Sequence, residues 1–134
     1  MKGSCLCGAV RYVIEGDIVG INYCHCVQCR KASGTAFATN AAVAMSDFRI
    51  ESGRDRLAAF ESSPGKKRHF CSRCGSPIYS QYDDGREVVY VRIGTIDDDA
   101  ELRPDIHIHV RSKAPWYEIR DELPQAQEEE GLTF

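Results

Sequence analysis

The chain has 134 residues, 43% of them apolar and 28% charged, with a formal net charge of −3. This is one domain's worth of sequence with enough apolar content for a single core. The acidic balance argues against a nucleic-acid partner, which rewards a basic face, and no run approaches the roughly 18 apolar residues of a membrane span.

Along the chain the pattern is mostly strand. In AVRYVIEG, Val10, Tyr12 and Ile14 alternate with Arg11, Val13 and Glu15, the period of a half-buried strand. Further strands are expected over 18–24, 36–44, 57–62 and 68–71, then over 77–82, 87–96 and 105–112. Gly16-Asp17, Ser52-Gly53, Ser63-Pro64-Gly65 and Asp83-Asp84-Gly85 punctuate them as turns, with Asp84-Gly85 a hairpin signal. Helix is scarce: a turn or two over VQCRKAS (27–33) and another over PWYEIRDEL (115–123), where Pro115 suits a first helical position. Trp116 reads as a core anchor. Asp97, Asp98 and Asp99 read as a solvated turn. His107 and His109, alternating with Ile106, Ile108 and Val110, are expected to point away from the apolar face. Residues 1–124 form a single domain in this reading, and 125–134, charged and without a core pattern, form a frayed tail.

Seven cysteines fall into three tight clusters. An odd number cannot pair off, and the N-terminal MKGSCLCGAV lacks the apolar stretch of a signal peptide, so we expect a cytoplasmic protein with reduced, metal-binding thiols. Cys5-Leu6-Cys7 is followed by Gly8, and Cys71-Ser72-Arg73-Cys74 by Gly75. Glycine there can take the positive φ that turns backbone N–H groups toward the sulfurs. The two clusters read as halves of one closed four-cysteine structural zinc site.

CHCVQCRK differs, because Cys24, Cys26 and Cys29 are followed by Arg30 and Lys31. Cationic neighbours favour thiolates and attract anions. Three ligands leave a second zinc with a vacant position, the pattern of a catalytic site, unless His107 or His109 closes it. His25 sits on too short a tether, and His69 reads as a strand residue near the structural site. A three-thiolate zinc is a weak Lewis acid suited to exchanging water for another soft sulfur ligand. Chemistry on a carbon–sulfur bond follows naturally.

GSCLCGAVRY (3–12), CHCVQCRKASGTAF (24–37), FCSRCGSPIY (70–79), IGTID (93–97) and HIHVRSKAPWYEI (107–119) together resemble the glutathione-dependent formaldehyde-activating enzymes, a family that includes the domain of centromere protein V. The resemblance implies a mostly β fold, a zinc-stabilised β-tent of twisted antiparallel sheets with little helix, and two zincs per chain. It implies a structural zinc on Cys5, Cys7, Cys71 and Cys74, and a second zinc on Cys24, Cys26 and Cys29 where glutathione sulfur binds. The implied activity is a zinc-dependent carbon–sulfur lyase or synthase that makes or breaks S-(hydroxymethyl)glutathione. Arg30 and Lys31 would then draw the carboxylates of glutathione, and Ser33, Gly34 and Thr35 would offer donors to the developing oxyanion. No residue stands out as a general base. The chain is short beside the longer enzymes of the family, and nothing in it matches an added glutathione-cradling element. A non-catalytic carrier of small thiols, or an interaction domain with two structural zincs, remains as an alternative.

Overall fold

The computed structural model describes residues 1–134 and is mostly β. A three-stranded antiparallel sheet joins β1 (Lys2–Ser4), β2 (Arg11–Ile14) and β5 (Phe48–Ser52) in the order β1-β2-β5. A seven-stranded sheet holds β3 (Ile18–Cys24), β4 (Ala38–Ala44), β6 (Leu57–Ser63), β7 (Lys66–Cys71), β8 (Pro77–Tyr82), β9 (Val88–Arg92) and β10 (Ile106–Ile108). Its order is β10-β3-β4-β9-β8-β7-β6, antiparallel except where β10 runs parallel to β3. The expected strands over 18–24 and 77–82 have the observed bounds, and the Asp84-Gly85 turn joins β8 to β9 as read from sequence. Two strands carried no legible signal: β1 is three residues long and β5 (FRIES) is half-exposed along its length.

The α-helix α1 (Val27–Ser33) also has its expected bounds. The second expected helix, over 115–123, does not form. Its backbone groups are taken up by local side chains, and one of these reaches a distant strand: Lys113 Nζ donates to the carbonyls of Ala114 and Tyr117, and the Asp121 carboxylate accepts from Leu123 N–H and from His107. Trp116, expected as a core anchor, is 69% exposed, at a turn closed by Tyr117 N–H to Ala114 O.

The core has two parts. Val10, Tyr12 and Ile14 of the small sheet meet Val43, Ile78, Tyr79, Val89 and Val91 of the large one, with Cys5 and Cys71 at the margin. A smaller cluster joins Cys24, Cys29, Ala38, Ile106, Ile108 and Ala126, and Leu132 and Phe134 pack against it. That second cluster corrects the expectation of a frayed tail. Residues 124–128 run along β10, where Ala126 N–H donates to His107 O and His107 N–H to Pro124 O. Phe134 lies flat on β3 at Gly20, where a Cβ would sit 2.3 Å from its ring. With this second layer of chain against it, His107 is fully buried and not solvent-facing as strand alternation suggested. No helix is long and apolar enough to cross a membrane.

Candidate metal centres and cleft

The two glycine-followed clusters meet. Cys5 and Cys7 sit on the turn after β1 in the small sheet, while Cys71 ends β7 and Cys74 lies on the turn to β8 in the large sheet. Gly8 (φ 77°) and Gly75 (φ 81°) take the positive φ their positions require. Val10 N–H then reaches Cys5 Sγ at 3.2 Å, and Leu6 N–H donates to Ser76 Oγ at 2.9 Å across the sheets. The four sulfurs lie within 4.8 Å of one another. Cys5 and Cys7 are 3.6 Å apart, Cys7 and Cys71 3.8 Å. A tetrahedron of Zn–S bonds near 2.3 Å has edges of about 3.8 Å, so this donor set fits zinc without rearrangement. The Ser76 hydroxyl, 3.3 Å from Cys74, and its backbone N–H hold the Cys74 thiol down to about 5, favouring the ligating thiolate.

The third cluster stands alone. Cys24 ends β3, Cys26 is the N-cap of α1 and accepts from Cys29 N–H at 3.3 Å, and Cys29 lies one turn into the helix. Their sulfurs also lie within 4.8 Å of one another, with no histidine, carboxylate or further cysteine grouped with them. Hydrogen bonding with Cys24 and Cys26, then the charge of Arg68, pulls the Cys29 thiol well below its ordinary range. Hydrogen bonding with Cys26 and Cys29 pushes Cys24 up. Three sulfurs this close share their protons and can surrender them together to a metal.

Neither candidate histidine closes the set. His107 Nδ1 is 2.8 Å from His25 Nε2, and its Nε2 is 2.9 Å from the Asp121 carboxylate. His109 Nε2 is 3.2 Å from Glu129. Both His25 and His107 are fully buried, with the rings of Tyr23, Phe37 and Tyr117 around them. Burial, then the charge of His107, holds His25 down at about 4, so it stays neutral. The chain His25–His107–Asp121 runs from the ligand loop out to the exposed Asp121 carboxylate. His69 stacks on Tyr79 in the sheet at 4.2 Å.

The three sulfurs open onto a cleft of about 260 Å³. One wall is apolar: Ile108 and, from the tail, Leu132 and Phe134. Across it stand Lys66, Tyr82, Arg86, Tyr90 and Arg92 from β7, β8, β9 and the turn before β9, with Asn22, Asn40 and Ser80 at the floor. Asn40 Nδ2 donates to Asn22 Oδ1 at 3.1 Å across the β3–β4 pairing, and Asn40 Oδ1 is buried without a partner.

The substrate-binding residues expected from sequence are not here. Arg30 points along α1 and donates from Nη1 to Ser112 O at 3.0 Å, and Lys31 is exposed. Ser33 Oγ donates to Cys29 O at 2.8 Å, Gly34 ends the helix, and Thr35 Oγ1 donates to Phe37 O at 2.5 Å. Arg30, Lys31, Gly34 and Thr35 line a separate shallow depression with Val27 and Trp116. The reason is geometric. A helix capped by Cys26 turns Cys29 inward toward Cys24 and Cys26, so Arg30 and Lys31, the next residues, point elsewhere around its axis. The cation that does meet a sulfur is Arg68, against Cys29, and Arg92 lines the cleft beside the cluster; both are buried. Neither carries a local signal: Lys66-Lys67-Arg68 has the look of a solvated basic run, and Arg92 that of the polar end of an apolar strand.

The chain is similar to known proteins in sequence and in fold. A model of the family described as glutathione-dependent formaldehyde-activating enzyme matches residues 1–112. A Halomonas elongata protein named "Putative glutathione-dependent formaldehyde-activating enzyme" is 34% identical over 128 residues, covering 89% of this chain and 80% of its own length. A Schizosaccharomyces pombe protein named as an uncharacterized lyase is 22% identical over 118 residues, covering 88% of this chain and 84% of its own. A crystal structure of a Rhodobacter sphaeroides protein superposes with a TM-score of 0.64 at 25% identity, covering 75% of this chain and 92% of that one.

Proposed function

Because the chain belongs to the glutathione-dependent formaldehyde-activating enzyme family, we propose that it is a zinc-dependent carbon–sulfur lyase or synthase acting on glutathione and formaldehyde. The observation that carries this reading is the incomplete ligand set: Cys24, Cys26 and Cys29 converge without a fourth protein ligand, at the end of a cleft. The donor sets support two zincs per chain, one on Cys5, Cys7, Cys71 and Cys74 and one on the three cysteines of the cleft. Bound there, the second zinc supplies a soft position at which a thiol is held as thiolate at neutral pH.

The rest falls to the chain. Lys66 and Arg86 at the cleft rim offer positive charge to the carboxylates of a peptide thiol, and Tyr82 and Tyr90 offer hydroxyls beside them. Lys66 and Arg86 are themselves seated over the Tyr82 ring, at 5.1 and 3.9 Å, which limits their freedom and so the entropy lost when a ligand is bound. Leu132, Phe134 and Ile108 screen the sulfur side of the cleft from water. Formaldehyde, small and mobile, needs only to be held near the sulfur, and proximity supplies much of any rate gain. His109 and Glu129, 3.2 Å apart, also line the cleft, and no general base is assigned.

The test is zinc-loaded protein with glutathione and ¹³C-formaldehyde, observed by exchange NMR. Faster interconversion of free formaldehyde and S-(hydroxymethyl)glutathione than in buffer, abolished in Cys26→Ser, is the expected result. An unchanged exchange rate with a demonstrable metal–sulfur contact to glutathione would leave a carrier in place of an enzyme.

A further inference from the structure

Arg68 and Arg92 are each 8% exposed, and none of the chain's ion pairs includes either one. Arg68, on β7, turns Nη1 and Nη2 toward Cys29 Sγ at 3.8 and 3.7 Å and donates from Nε to Ser62 Oγ at 2.9 Å. Its remaining contact is Gln28 Oε1 at 3.4 Å. Arg92, on β9, donates to Tyr90 O at 2.9 Å and Ser80 Oγ at 3.3 Å while lining the cleft. All its acceptors are neutral.

A guanidinium keeps its proton at any accessible pH, and a buried charge persists only when another charge offsets it. Three thiolates around a divalent zinc leave one net negative charge. Two arginines set two positive charges against it. The interior end of the cleft is therefore short by one negative charge. At the rim, Arg86 pairs with Asp84, Lys66 adds a further positive charge, and the one carboxylate of the lining, Glu129, is 61% exposed to solvent beside His109. Rim groups are also solvated and screened, whereas charges at the buried end are not.

We propose that Arg68 and Arg92 make the open position of the Cys24/Cys26/Cys29 site selective for a singly charged anion, a thiolate, over neutral ligands of similar size. The proposal rests on the reading of that cluster as an open zinc site. It adds the residues that enforce the ligand's charge, and it gives them a second role in turnover. A thiol gives its proton to solvent on entering. In the addition, the S–C bond forms, the carbonyl π pair moves to oxygen, and that oxygen takes a proton from water. Sulfur has then become a neutral thioether, and the charge balance that held it is gone. The same two arginines that recruit the thiol favour departure of the adduct.

The experiment uses protein loaded with Co²⁺ in place of zinc, whose absorption reports ligand exchange without turnover. The probes are 2-mercaptoethanol, 2-(methylthio)ethanol and imidazole. The native protein is expected to bind the thiol at least about ten-fold more tightly than either neutral probe. Arg92→Gln should lose about ten-fold in thiol affinity with the neutral probes unchanged or tighter, and Arg92→Lys should recover most of the loss. Should Arg92→Gln not fold, Arg68→Gln and Arg68→Lys carry the same comparison. Thiol binding unchanged in the Gln variants overturns the proposal and leaves the open site standing. If no probe alters the native spectrum, the open site itself is wrong and the proposal goes with it.

Discussion

The two cysteine centres use the same residue at similar spacings and are built in opposite ways. The four-cysteine centre draws its ligands from two sheets, so closing it staples the small sheet to the large one. The groups that bond its sulfurs are neutral, Val10 N–H and Ser76 Oγ. The three-cysteine centre draws every ligand from one β-strand-to-helix turn, so it ties together almost nothing the chain has not already joined. Around it stand buried arginines and a cleft. If the proposed division of labour holds, a metal that organises the fold is distinguished from one left for chemistry by how far apart its ligands come from and by what stands around it. The ligand type says nothing on the point.

Breaking the first centre should have the largest effect. Structural zinc in small domains contributes about 10–16 kcal/mol at neutral pH, as much as the whole stability of a domain, about 5–15 kcal/mol. Cys71→Ser is therefore expected to abolish cooperative thermal unfolding followed by circular dichroism and to yield aggregated protein. Cys26→Ser is the matching test of the second centre. It should retain the native spectrum, bind one zinc per chain in place of two, and lose glutathione binding by titration calorimetry. A Cys26 variant as unfolded as the Cys71 variant would erase the contrast between the centres.

Chelation sharpens the same comparison without mutation. A cleft-facing ion held by three ligands should leave first, giving a plateau at one zinc per chain with the fold intact before the second ion is lost and the protein unfolds. Simultaneous loss of both would show a single cooperative unit. A smaller effect is expected at the residues first read as substrate contacts: Arg30→Ala and Lys31→Ala should change glutathione affinity by less than about two-fold, since neither side chain lines the cleft. The affected property of Arg30→Ala is stability, through loss of its bond to Ser112 O.

A pH-dependent effect is expected at the closed end of the molecule. Burial pushes the Tyr12 hydroxyl, bonded to Thr95, up to about 12. Its unfolded value is near 10, so the unfolded chain loses this proton first. The contribution of neutral Tyr12 is complete below pH 10 and is lost as pH rises from about 10 to about 12, by roughly 2–3 kcal/mol at the limit. Denaturant titrations across that range should show the decline, and Tyr12→Phe should flatten it.

Sequence by itself determined the mostly β class, the bounds of β3, β8 and α1, and the division of seven cysteines into a set of four and a set of three. Those features rest on local information: alternation, turn residues, and glycine placed directly after a cysteine pair. The tertiary structure alone decided which cations face the open cluster, that His107 is buried against His25 and Asp121, that 115–123 is not helical, and that Leu132 and Phe134 form a cleft wall. Each of these depends on which strands become neighbours and on what covers a sheet face. Arg68 and Cys29 are 39 positions apart, and His25 and His107 are 82. Periodicity within one segment records which residues share a face. It holds no information about the distant segment packed against that face, and at this site the distant segment supplies the charge.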